Sequence, residues 1–219
     1  MSLVVDLYWS FRSPYSYLAT ARLVKLRDEY DVDINVRPVL PLAVRTPEFF
    51  ERANPLFVSY LLRDAPRVAE RLGIPFRYPN PDPVVFDMAS GRYPVEQPYI
   101  HRLTRLGVAA AEGGDGLAFL DEVSRLIWGG TNGWNEGAHL AEAASRAGFD
   151  LAELDAVVAA EPDHLVAQIE DNQKALEISG HWGVPTCVFE GEPFFGQDRL
   201  ADLVWRLEQE GLKPRSLGE

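Results

Sequence analysis

Apolar residues recur along this chain with two periods, and the switches between them lay out its elements. Residues 3–9 form a short apolar run with one charge, Asp6, rich in Val, Tyr and Trp, which predicts a buried strand. Leu18, Ala21, Leu23, Val24 and Leu26 then fall at helical spacing behind Ser13-Pro14. Serine is a favoured N-cap, and proline suits the first helical position because its missing N–H has no partner there in any case. A helix is therefore predicted over 14–30. Val32, Ile34 and Val36 alternate, so 32–39 is a second strand that ends before Pro41. Strand, helix and strand in so short a span imply a parallel pair with a right-handed crossover.

Between 42 and 180 the strand signals vanish. Helices are predicted over 56–72, 98–111, 116–128, 137–148, 151–160 and 163–178, punctuated by Gly73, Gly113-Gly114 and Gly129-Gly130. Pro66, inside the first of these, is expected to kink or split it. Residues 80–97 are rich in Pro, Gly and Asp and read as a long irregular loop, a kind that often carries function. The period of two returns at 186–190. Gly191-Glu192 then reads as a type II′ turn with glycine first, and Phe194-Phe195 opens a return strand. Asp198 is predicted to cap a last helix with the stripe Leu200, Leu203, Val204 and Leu207. Two units follow from this order: 1–41 with 181–219, which is α/β, and a helical insertion over 42–180.

Composition narrows the partners. The chain has 219 residues, 47% hydrophobic and 25% charged, a mix that builds an ordinary globular core. Its net charge of −12 opposes phosphate backbones and anionic lipid, so nucleic acid and membrane surfaces are poor partners. No stretch approaches the roughly 18 apolar residues of a membrane span. The first residues lack the basic region of a signal peptide, and the single cysteine, Cys187, forms no internal disulfide. A cytoplasmic location is the expectation.

βαβ, a helical insertion, then ββα is the order of the thioredoxin fold, in which the active site lies where the first strand gives onto the first helix. That place holds Ser13-Pro14-Tyr15-Ser16, where thiol oxidoreductases carry Cys-x-x-Cys. Serine forms no disulfides and does not ionise near neutral pH, so thiol–disulfide exchange is excluded there. Gly183-Val184-Pro185-Thr186 stands where this fold keeps a cis-proline, which turns the Val184 N–H and C=O toward an extended, peptide-like ligand. Gln197 and Asp198, with free backbone N–H groups before the last helix, suit the amine and carboxylate of an amino acid. Local structural roles compete with these. Ser13 is also a plain N-cap, Ser16 a first-turn residue, Asp198 a cap and Cys187 a buried small side chain. His101, His139, His164 and His181 show no metal spacing and read as surface groups. Trp128, Trp134 and Phe119 read as helix packing.

Taken together, residues 11–19, 183–186 and 195–200 resemble the 2-hydroxychromene-2-carboxylate isomerases. They are also similar to the kappa-class glutathione transferases, relatives within the DsbA-like thioredoxin superfamily. The resemblance implies glutathione as cofactor, a small aromatic substrate and a homodimer. It places the catalytic Ser13 at the glutathione sulfur, Val184 and Pro185 along the cysteinyl part, Gln197 and Asp198 at the γ-glutamyl end, and Asn54 near the thiol. The family's Tyr-Leu-Lys-x-Asp-like run reads Tyr60-Leu61-Leu62-Arg63-Asp64 here. Leu62 replaces the lysine, and Arg63 lies one position on, about 100° round a helix. Arg63, Arg92 and Tyr99 are candidates for holding a substrate carboxylate. The implied reaction is isomerisation in aromatic degradation through a glutathione thiolate. A glutathione transferase conjugating electrophiles and a non-catalytic peptide-binding module are the alternatives.

Overall fold

The computed structural model describes residues 2–88 and 92–215. Strand β1 (Leu3–Trp9) runs parallel to β2 (Val32–Pro38), with Leu3 opposite Val32 and Trp9 opposite Pro38. It runs antiparallel to β3 (Thr186–Phe189), which pairs in a hairpin with β4 (Glu192–Phe195). The sheet order is β2-β1-β3-β4, so β1 is interior, as its apolar run requires. Its one charge is satisfied at the surface: Asn35 and Arg37 donate to Asp6 at 2.7 and 3.0 Å.

Helix α1 (Pro14–Glu29) follows β1, and α10 (Leu200–Gln209) closes the chain after β4. Between β2 and β3 lie α2 (Leu42–Arg45), α3 (Glu48–Arg52), α4 (Leu56–Leu72), α5 (Ile100–Gly113), α6 (Gly116–Trp128), α7 (His139–Arg146), α8 (Leu151–Ala160) and α9 (Pro162–Ile178). Helix α1 buries residues on nearly every side, from Tyr17 and Leu18 to Leu23, because it is wedged between the sheet and α6. One continuous core joins Trp9 and Leu23 to Phe119, Leu120 and Val123 of α6. Burying such side chains stabilises the fold by about 1.5–3 kcal/mol each.

Several sequence expectations are corrected. Two short helices, α2 and α3, stand where none was predicted. Helix α4 is unbroken across Pro66. Proline leaves the carbonyl four residues back without its helical donor, and here that carbonyl, Leu62, accepts from the Tyr78 hydroxyl at 2.8 Å. The hairpin turn is Glu190-Gly191, not Gly191-Glu192, because Glu192 already pairs with Phe189. Both turn residues have positive φ, 49° and 83°, which belongs to type I′ rather than II′. Asp198 does not cap α10; the cap position is Arg199, with no side-chain bond. Residues 80–97 form no helix among those described, and 89–91 lie outside the described residues. Buried Gln97 pins this loop, accepting from the Val85 N–H at 2.7 Å and donating to the Val85 and Pro94 carbonyls.

Candidate active site

Ser13 sits where β1 gives onto α1. Its hydroxyl oxygen accepts the Ser16 N–H at 3.1 Å, so it is the N-cap, and its proton points to the Val184 carbonyl at 3.3 Å. That second bond is long, which leaves the donor weakly committed. The Val184–Pro185 peptide is cis, as the fold position predicts. No described residue accepts from the Val184 N–H. The loop around it is fixed from three sides. The Gly183 N–H donates to His181 Nδ1 at 2.8 Å, the Thr186 hydroxyl donates to the Gly183 carbonyl at 2.7 Å, and the Gly196 N–H donates to the Pro185 carbonyl at 2.9 Å.

Ser13 and Val184 open onto a largely apolar cavity of 430 Å³. It is lined by Ser10, Ser13 and Pro14 near the start of α1, by Leu42, Phe57, Leu61 and Leu62, and by the rings of Tyr78, Trp128, Trp182 and Phe195. The size suits one small aromatic molecule. Trp128 is anchored by its indole N–H on the Phe11 carbonyl at 2.9 Å. His181 is half-buried, not a free surface group: its ring stacks on Phe195 at 3.9 Å. Burial lowers its pKa, and its Nδ1 accepts the Gly183 N–H.

Two charged residues line this cavity, Arg12 and Asp82, and they form a forked pair at 3.2 and 3.0 Å. Burial works to lower the Arg12 pKa, but Asp82 outweighs it and holds the guanidinium above its ordinary value. Tyr15, also in the lining, donates to Asp64 at 2.7 Å. Burial and the bond to that carboxylate both push the Tyr15 pKa up, so the phenol stays protonated. Asp64 also accepts from Tyr60 at 3.2 Å and from Arg67. Burial would raise its pKa, yet these donors hold it below the usual carboxylate range.

The residues anticipated from sequence divide into two groups. Ser13 and Val184 meet in the cavity, and Pro185 is buried directly behind. Gln197 lies outside the cavity, buried, with its carbonyl held by Arg22 at 2.7 Å. Asp198 is exposed and pairs with Arg199 at 3.8 Å. Asn54 is exposed outside the lining, where its side chain accepts the Leu56 N–H at 2.9 Å and starts α4. Arg63 and Arg92 are exposed and outside the cavity, and Tyr99 packs edge-on against Trp134. None of those three substrate candidates lines the described cavity; Arg63 and Arg92 face solvent and Tyr99 packs on Trp134. Sequence reasoning missed Arg12, Tyr15, Asp64, Tyr78 and Arg22; of these, Arg12 and Tyr15 lay inside the quoted motif, and Asp64 ends the Tyr60 run.

Elsewhere the groups are structural. Cys187 is buried in β3, where desolvation pushes its thiol up to about 12, so it stays protonated. No cluster of His, Cys, Asp or Glu among the described residues is arranged to hold a metal. A wider, shallower depression of 590 Å³ lies at the far end of α1. It is lined by the ion pairs of Arg27 with Asp28 and Asp115, and none of the site residues borders it. No helix among the described residues is long and apolar enough to cross a membrane.

The sheet order and the helix that follows β1 define the class. A DsbA-like thioredoxin domain model matches residues 4–208, and the chain belongs to that family. Within it, the chain is 25% identical over 205 residues to a 2-hydroxychromene-2-carboxylate isomerase of Pseudomonas putida, covering 90% of this chain and 91% of the relative. A solved structure of a 2-hydroxychromene-2-carboxylate isomerase superposes with a TM-score of 0.72 at 22% identity, covering 95% of this chain and 96% of the other. The cytosolic disulfide reductase DsbM of Pseudomonas aeruginosa, solved with GSH, superposes at 0.58 with 20% identity, covering 94% and 100%.

Proposed function

We propose that this protein is a glutathione-dependent isomerase of the 2-hydroxychromene-2-carboxylate isomerase type, acting on an aromatic ring compound. The observation that carries this reading is the Ser13 hydroxyl, set at the start of α1 and facing Val184 on the wall of an aromatic cavity. The names of the relatives point the same way: isomerases by sequence, and a GSH complex among the solved folds.

The residues present fit glutathione. The Val184 N–H has no described acceptor, which suits a peptide-like ligand laid along it. Arg22 holds Gln197 and has a buried Nε without a partner, which puts positive charge beside the place expected for the γ-glutamyl carboxylate. When bound, glutathione supplies a thiolate that adds to and then leaves a conjugated ring compound, returning the thiol unchanged. Ser13 donates its proton toward the sulfur in place of the Val184 carbonyl. The Ser16 N–H on its oxygen and the positive end of α1 strengthen that donor. The cavity walls exclude water from the ring. In this reading 1–41 and 181–219 hold the cofactor, and the insertion over 42–180 supplies the substrate wall.

The test combines calorimetry with thiol accounting. Glutathione is expected to bind, and turnover of a chromene-type ring compound is expected to leave free thiol constant. No heat at millimolar glutathione would overturn the reading. Stoichiometric loss of thiol during turnover would assign transferase chemistry instead.

A further inference from the structure

We infer, building on the glutathione-dependent reading, that the ring compound enters this cavity as a neutral molecule, a conjugated aromatic ketone or ester rather than a carboxylate. Four observations converge on this. The charges of the described lining are Arg12 and Asp82, and they cancel. Asp82 engages both Nε and Nη2 of Arg12 and is itself fixed by the Val84 N–H at 2.9 Å, so an anion approaching Arg12 meets a carboxylate held beside it. Leu62 presents an apolar side chain to the cavity, while Arg63 and Arg92 lie outside the lining. The three phenols of the lining are turned away as donors: Tyr15 and Tyr60 give their protons to Asp64, and Tyr78 gives its proton to the Leu62 carbonyl.

An anion on the ring thus finds an apolar wall, a neutralised cation and phenol oxygens that offer lone pairs, while the open donors, Ser13 and the Val184 N–H, are those the glutathione reading assigns to the tripeptide. Moving a carboxylate from water into such a place is strongly disfavoured unless it is paired. A neutral carbonyl compound meets no such penalty and gains the full burial of its ring. The residues at 89–91, Ala89, Ser90 and Gly91, carry no charge that would alter this balance.

The probes are chromone-2-carboxylate and its methyl ester, which share a ring and differ in charge. Each is titrated into the protein with saturating glutathione. The ester is expected to bind the wild type at least about tenfold more tightly than the acid, a difference of about 1.4 kcal/mol. Asp82→Asn keeps an oxygen for the Val84 N–H but leaves Arg12 unbalanced. It is expected to raise acid affinity about tenfold while leaving ester affinity within about twofold. Leu62→Lys, at an exposed helix position, is expected to act in the same direction and carries the test if Asp82→Asn fails to fold. Equal or tighter binding of the acid to the wild type overturns the inference, as does no binding of either probe. The comparison repeated without glutathione still reads the charge preference, so a failure of glutathione to bind is distinguished from a failure of this inference.

Discussion

Removing the Ser13 hydroxyl separates its structural role from its chemical one. In Ser13→Ala the cap on the Ser16 N–H is lost, which costs about 1 kcal/mol. The long, half-buried bond to the Val184 carbonyl adds about 0.5 kcal/mol. For a chain of this length, about 1.5 kcal/mol lowers Tm by about 3–6 °C. Glycine caps nearly as well as serine, within a few tenths of a kcal/mol, so Ser13→Gly removes the donor at little structural cost. The chemical effect is larger. Loss of one preorganised donor to a developing or bound anion costs about 10²–10³ in rate. A charge-assisted bond of about 1.5–3 kcal/mol also holds a bound thiol below its ordinary pKa of about 8.5. Without it, the midpoint of thiolate formation moves up by about one to two pH units. The assays are urea unfolding for stability, and ultraviolet titration of the bound thiolate with turnover for chemistry. Ser13→Thr keeps the hydroxyl and is expected to retain both the low midpoint and part of the rate. A Ser13→Gly protein with wild-type turnover and an unmoved midpoint would refute the role given to Ser13.

Three further outcomes are expected. Tyr78→Phe leaves the Leu62 carbonyl without its phenol donor, which costs about 0.5–1 kcal/mol in urea unfolding; in a Pro66→Ala background, where a helical N–H returns to that carbonyl, the cost falls toward zero, and an equal cost in both backgrounds would break the link. Gly183→Ala places a Cβ 2.4 Å from the Phe195 ring and 3.1 Å from His181, so it is expected to destabilise by about 1–3 kcal/mol and weaken glutathione binding; an unchanged urea midpoint and Kd would contradict the packing. Asp64 has a folded pKa held below the usual carboxylate value, so its contribution is present above about pH 4 and is lost as pH falls through the folded pKa; Asp64→Asn is expected to remove that part of the acid limb, and an identical acid profile would refute the shift.

What could be read ahead of the structure followed the range of the forces involved. The period of two in Val32, Ile34 and Val36 and the helical spacing behind Ser13 are local, and both elements formed within a residue or so of expectation. The meeting of Ser13 with Val184 was legible only through the order of elements, since no local pattern links residues so far apart. The turn type was not legible, because Glu190 takes a positive φ that strand register imposes against its own preference. Asp198 looked like a cap, yet the Gly196 N–H bonded to the Pro185 carbonyl sets the approach to α10. Arg12 could be seen as a charge, but its partner Asp82 arrives on a loop whose path depends on buried Gln97.

In the glutathione-dependent reading, that pairing bears on how an acidic protein would hold an acidic cofactor. With a net charge of −12, the surface as a whole repels anions, and any anionic group must be met by local positive charge. Arg22 forms no salt bridge among the described residues, though Asp198 lies near enough to favour its charge, and it stands with Gln197 outside the cavity, whereas Arg12 inside it is neutralised by Asp82. In the proposed reading, the charged end of the tripeptide and the ring of the second substrate are therefore sorted by electrostatics to different places. Ser13 lines that cavity, at the place the proposed reading gives to the sulfur.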